Sequence, residues 1–215
     1  MGCFIKLSYL FNIMKSGCVL FDKYENEITC VYGQPSTGKT TLAKLAAISQ
    51  ASNGNKVVFI DTEGSFSVDR IKQIAGNDVE KILENIILFK PKRFSEQNKI
   101  IKSLPDMKNI SLIIIDTIGY YYRAKVKEKP KVYNMWMARQ FSILKELSKN
   151  TPVIITNQVY SNMKNEIIMV GGEMFRKNSD RIIKLNKEPR KIIFESSPDK
   201  EKKFEIVNDG FALKE

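Results

Sequence analysis

Histidine is absent from all 215 residues. That removes Ser-His-Asp and Cys-His nucleophilic catalysis, imidazole acid/base work and His-ligated zinc together. Cysteine is scarce and unpatterned. Cys3, Cys18 and Cys30 are odd in number and have no C-x-x-C spacing, so they read as reduced thiols of a cytoplasmic protein, not as a disulfide framework or a zinc site. A membrane-spanning run is missing too. The apolar-leaning stretch 1–13 (MGCFIKLSYLFNI) is too short, is broken by Lys6 and has no A-x-A-like cleavage site. Met1-Gly2 resembles a myristoylation start, but Lys6 stands where Ser or Thr is needed. Met14 precedes the first recognisable element, so residues 1–15 are read as an extension, with Met14 as the expected natural start, and 16–215 as the core.

What is present is one domain's worth of ordinary globular chain, 43% hydrophobic and 27% charged. Lys and Arg number 35 against 24 Asp and Glu, a formal net charge of +11 that suits a polyanionic partner. The available chemistry is that of carboxylates, lysines, hydroxyls, backbone amides and bound cofactors.

From Ile28 onward, short β-branched runs alternate with stretches of helical period. Strands are predicted at Ile28–Tyr32, Val57–Ile60, Ile86–Phe89, Leu112–Ile115 and Val153–Thr156. Helices are predicted at Gly38–Ser52, Val68–Ala75, Asp78–Leu83, Ser95–Leu104 and Tyr133–Lys149. That alternation predicts an α/β fold, a mostly parallel sheet covered by helices on both faces. After Gly171-Gly172 the pattern changes to short strands at Arg181–Leu185, Lys191–Glu195 and Phe204–Val207, read as antiparallel strands extending the sheet.

The strongest chemical signal is Gly33-Gln34-Pro35-Ser36-Thr37-Gly38-Lys39-Thr40, followed by Thr41, a complete G-x-x-x-x-G-K-[ST] sequence between a buried strand and a helix. Its glycines let successive backbone N–H groups face an anion, and the helix N-terminus adds positive potential. Lys39 is placed to reach the β- and γ-phosphates of ATP and the Thr40 hydroxyl to bind Mg²⁺. Asp116 closes the strand Leu112–Ile115 and is expected on the Mg²⁺ side. Asp61-Thr62-Glu63-Gly64 closes another strand; Glu63 is the candidate for orienting and deprotonating water, with Asp61 structural or near the metal.

Several of these segments together resemble the RecA/RadA family of recombinases: FIDTEGSFSVDRI (59–71), IIIDTIGYYYR (113–123), VIITNQV (153–159), and Gly171-Gly172 followed by Arg181–Leu185. The resemblance runs from about Ser16 to Phe211. It implies a RecA-like P-loop NTPase core, a catalytic glutamate at Glu63, and a glutamine at Gln158 linking the γ-phosphate to DNA-binding loops. It also implies an arginine at Arg70 stacked on adenine. No F-x-x-A tetrapeptide of the kind that links family subunits occurs in the chain, and only about 15 residues precede the core. The family's core-only paralogues are accessory DNA-repair factors that bind DNA, hydrolyse ATP weakly and do not exchange strands. The resemblance therefore implies, for this chain, single-stranded or branched DNA and the main recombinase or a junction nuclease as expected partners, and the cytoplasm, on the nucleoid, as its expected place.

The segment 120–131 carries five basic residues and one acid beside three tyrosines, the aromatic and cationic mixture of single-strand sites. Tyr120, Tyr121, Tyr122, Arg123, Lys125 and Lys127 are therefore DNA-binding candidates, where the resemblance places the first DNA loop; Lys164 is a weaker one in the second. Two other classes stand beside this reading. One is a lone RecA-like ATPase of the circadian-clock type acting on a protein, which predicts ring assembly and no salt-dependent DNA affinity. The other is a small-molecule kinase, which predicts an acceptor pocket and an arginine-bearing lid.

Overall fold

The computed structural model describes residues 26–161, 167–196, 201–208 and 210–214. Nine strands form one sheet in the order β11-β10-β9-β8-β1-β5-β4-β2-β3. The strands are β1 (Ile28–Gly33), β2 (Lys56–Asp61), β3 (Ile86–Phe89), β4 (Ile110–Asp116), β5 (Val153–Asn157), β8 (Arg181–Lys187), β9 (Arg190–Phe194), β10 (Lys202–Val207) and β11 (Gly210–Lys214). Strands β8, β1, β5, β4, β2 and β3 are mutually parallel, and β9 to β11 continue the sheet antiparallel from β8. A separate hairpin pairs β6 (Val159–Ser161) with β7 (Ile167–Met169).

Alternation along the strands divides the core in two. Val31, Val57, Phe59, Leu112, Ile114 and Ile154 face one way, beneath α1 (Lys39–Ser52), α2 (Val68–Ala75) and α3 (Val79–Glu84). Cys30, Val58, Ile60, Ile113, Ile115, Val153 and Ile155 face the other. They lie beneath α4 (Phe94–Ser103), α5 (Tyr120–Lys125), α6 (Pro130–Leu147) and α7 (Gly172–Lys177). Because both faces are covered, the central parallel strands β2, β4 and β5 are near-continuous apolar runs, the pattern that made them legible.

Differences from expectation have local causes. Helix α1 starts at Lys39, because Gly38 sits at φ +100, outside helical space. Helix α6 starts three residues earlier than the apolar period suggests, with Pro130 in its first turn, where a missing N–H costs nothing. The tyrosine-rich segment after β4 is the short helix α5, not an open loop. Its alternation is too brief to show a period. Helix α7, the β6–β7 hairpin and β11, three to six residues each, are likewise too short to show a period.

Cys30 is fully buried between β5 and β8, and burial pushes its thiol up to about 12. With a thiolate fraction on the order of one in ten thousand at pH 8, iodoacetamide is expected to leave Cys30 unmodified in the native protein and to alkylate it after denaturation. Peptide mass spectrometry checks this; modification of Cys30 in the native state contradicts the packing. Cys3 and Cys18 lie outside the described residues.

Candidate nucleotide site

The parallel strands deliver their carboxyl ends to one edge of the sheet, where ligands of open α/β folds bind. Gly33 ends β1, Asp61 ends β2, Asp116 ends β4, and Asn157 ends β5 with Gln158 next. A pocket of about 470 Å³ opens there, lined by Gly33, Pro35, Ser36, Gly38, Lys39, Thr40, Thr41, Glu63, Thr117, Arg123, Gln158, Val159 and Ile206. That volume lies in the range of small-ligand sites.

The loop between β1 and α1 is shaped by close contacts. A Cβ on Gly33 would stand 2.4 Å from the Leu185 carbonyl oxygen, and one on Gly38 would stand 2.7 Å from the Phe211 ring. The buried Thr37 hydroxyl donates to the Gln34 carbonyl, and the half-buried Arg190 guanidinium donates to the Ser36 carbonyl. Lys39 is buried, and its ammonium donates to the carbonyls of Gly33 and Gln34, both at 2.9 Å. Two of its three donors are thus used within the loop, leaving one for a ligand oxygen. Burial pulls the Lys39 ammonium below the usual lysine range, and the nearby Asp116 and Glu63 carboxylates oppose that shift.

Asp116 is buried and accepts hydrogen bonds from the hydroxyls of Thr40 (2.8 Å), Ser65 (3.2 Å) and Thr156. Burial raises its carboxyl above the ordinary range, while the Thr156 and Thr40 hydroxyls hold it down. A buried carboxylate beside a helix-start hydroxyl is a set of hard oxygen donors. That set suits Mg²⁺, which takes one or two protein ligands and completes its shell with water and phosphate oxygens. Among the described residues no cluster of three His, Cys, Asp or Glu side chains forms a cation site by itself. The residues present therefore fit a cation that arrives with a phosphate ligand.

Asp61 bonds the backbone N–H of Ser65 and of Phe66 with its two oxygens, at 3.0 and 2.9 Å. It organises the 61–66 loop. Glu63 is exposed on that loop and lines the pocket. The Gln158 amide donates to Glu63 at 2.8 Å, and Arg123 of α5 donates to the Gln158 carbonyl oxygen at 3.2 Å.

The structure thus gathers Gly33 to Thr41, Glu63, Gln158 and Asp116, and adds Arg123, Ser65 and Ile206, which the sequence reading did not place there. Arg70 is not among the lining residues. Its guanidinium bonds Gln73 and the Val207 carbonyl, beside Ile206 at the pocket's edge. Tyr122 is a correction: it is 6% exposed, donates to Asn134 and packs against Phe175, so it belongs to the core and offers no face to a base. Tyr121 is half-buried, with its hydroxyl on the Pro91 carbonyl at 2.7 Å, and Tyr120 stands 41% exposed against it. Lys125 pairs with Glu128 at 2.8 Å, and Lys127 is exposed. Lys164 lies outside the described residues.

A glycine-rich loop between the first strand and its helix, carboxylates at and just beyond neighbouring strand ends, and a glutamine immediately after β5 are arranged on a RecA-like core. A family model described as Rad51 matches residues 20–212. A DNA repair and recombination protein RadB of Methanocaldococcus jannaschii is 38% identical over 198 residues, covering 86% of this chain and 92% of its own. One from Methanococcus maripaludis is 36% identical, covering 86% and 91%. A crystal structure of the RadB recombinase superposes with a TM-score of 0.72 at 29% identity, covering 87% of this chain and 90% of that one. The chain belongs to the Rad51 family, and within it to the RadB group of archaeal DNA repair and recombination proteins. No helix among the described residues is long and apolar enough to cross a membrane.

Proposed function

We propose that the chain is an ATP- and DNA-binding accessory protein of recombinational repair, with weak ATP hydrolysis serving as a switch between DNA-binding states. The observation that carries this reading is the hydrogen-bonded series Glu63–Gln158–Arg123. It starts at the carboxylate facing the pocket and ends on the helix that follows the Asp116 strand. Lys39 and the N–H groups of the 33–40 loop hold the phosphates, and Thr40 with Asp116 holds Mg²⁺. Mg²⁺, when bound, supplies neutralisation of the charge developing on the phosphate oxygens. Glu63 orients the attacking water and accepts its proton once Gln158 yields that carboxylate. Arg123 holds Gln158 from the other side, so a DNA phosphate that draws Arg123 away changes what Gln158 can reach. Tyr120 and Lys125 lie on the same helix and Lys127 just beyond its end, and they contribute contact area and charge, with Tyr121 a partly buried support. The partners in this reading are single-stranded or branched DNA and the main recombinase or a junction nuclease, on the nucleoid. Residues 16–215 act as one core, and strand exchange is outside its repertoire.

The test is binding of labelled single-stranded DNA across a salt series, with and without ATP and Mg²⁺. Log affinity is expected to fall with log salt at about −0.7 per phosphate neutralised, and nucleotide is expected to tighten binding. Arg123→Ala is expected to shrink the nucleotide effect to less than about twofold, while Lys127→Ala lowers the salt slope by about 0.7 and keeps the nucleotide effect. A flat salt profile that ignores nucleotide overturns the reading and leaves an ATPase whose partner is a protein.

A further inference from the structure

One charged side chain near the nucleotide site has no place in the scheme above. Lys44 lies on α1, one and a half turns beyond Lys39, and only 5% of it is exposed. Its ammonium donates to the backbone carbonyl of Ser65 at 2.7 Å. That acceptor is neutral, and the Asp116 and Asp61 carboxylates act on Lys44 only through space. Burying an ammonium against a neutral partner costs free energy, and a purely structural position of this kind is better filled by an apolar chain of equal length. Retaining the charge therefore needs another reason, and the neighbours supply one.

Ser65 is where the 61–66 loop is tied down. Its N–H donates to Asp61 at 3.0 Å, and its hydroxyl lies 3.2 Å from Asp116. Its carbonyl is the group that Lys44 holds. Two residues earlier on the same loop stands Glu63, exposed to the pocket. We propose that Lys44 is a positioning residue of the nucleotide site, clamping the Ser65 carbonyl to α1 so that one rigid helix sets both the phosphate loop at its start and the loop that carries Glu63. The proposal rests on the reading of Glu63 as the group that directs water. A clamp of this kind acts on the transition state more than on nucleotide affinity, because a displacement of about 1 Å in a catalytic group costs up to about a hundredfold in rate.

The experiment compares wild type, Lys44→Met and Glu63→Gln in three measurements: hydrogen–deuterium exchange of the peptide spanning 61–67, melting temperature, and steady-state ATP hydrolysis with Mg²⁺. In Lys44→Met, exchange at the Ser65 and Phe66 amides is expected to rise at least about tenfold, since both depend on the loop staying on Asp61. The melting temperature is expected to hold or rise, because a buried charge has been removed. The kcat is expected to fall about 10- to 100-fold, with KM changed less than about threefold. Unchanged exchange at 61–67, or a lowered melting temperature with exchange raised throughout the chain, overturns the proposal and makes Lys44 a structural prop. Should the methionine variant fail to fold, Lys44→Gln is read by the same three measurements. If Glu63→Gln hydrolyses ATP as fast as wild type, the reading of Glu63 falls, while the exchange data still decide whether Lys44 holds the loop.

Discussion

Lys39→Ala is expected to remove most of the stabilisation that ATP and Mg²⁺ confer. A hydrogen bond from a charged donor contributes about 1.5–3 kcal/mol, or roughly 10- to 150-fold in affinity. The same side chain also braces the loop through the Gly33 and Gln34 carbonyls, so the upper part of that range applies. Nucleotide at about one hundred times its Kd stabilises by roughly 2.7 kcal/mol, and binding a hundredfold weaker leaves roughly 0.4 kcal/mol. For a chain of this size the first corresponds to a rise in melting temperature of about 5–10 °C and the second to about 1 °C. Thermal melts of both proteins with and without ATP and Mg²⁺ make the comparison. A Lys39→Ala variant with the full wild-type shift would place the phosphates elsewhere.

Gly33→Ala is expected to lower stability by about 3 kcal/mol, the upper part of the range for overpacking. Gly33 pairs with Leu185 where β1 meets β8. The added methyl would lie 2.4 Å from the Leu185 carbonyl oxygen and 2.9 Å from the Thr37 hydroxyl. The first of these is backbone in the middle of the sheet and can retreat only if β1 and β8 part. A drop of about 6–12 °C in melting temperature follows. Gly54→Ala is the control. Gly54 has φ +80, yet an added Cβ there meets nothing within 4 Å, so only backbone strain of about 1–2 kcal/mol is incurred. Equal losses at the two positions would show that close approach at the P-loop is not what excludes a side chain.

The parallel half of the fold was legible because its strands are buried on both faces. Leu112–Ile115 and Val153–Ile155 have to be apolar throughout, and such runs between helical periods admit few other architectures. The glycine-rich loop between β1 and α1 was legible for a related reason. Its chemistry needs glycine, lysine and a hydroxyl at set spacings within eight consecutive residues, so the whole device is local. Asp116, Glu63 and Gln158 were each found at a strand end, but nothing local says that the Gln158 amide lies on Glu63; that contact spans 95 residues.

Where local pattern misleads, the reason is again physical. Tyr120, Tyr121 and Tyr122 are identical in composition, and only the short helix on which they lie decides that the third is core while the first is exposed. Lys44 could have been noticed as the single charge within LAKLAAI (42–48), a run apolar all round, as in a helix covered on every side. Sequence by itself thus determined the class of fold, the glycine-rich loop after β1 and the carboxylates at neighbouring strand ends, because those follow from burial and from spacing along the chain. Tertiary structure alone decided which tyrosine faces solvent, which donor Glu63 meets and what Lys44 holds, because these depend on side chains brought together from strands and helices far apart in the chain.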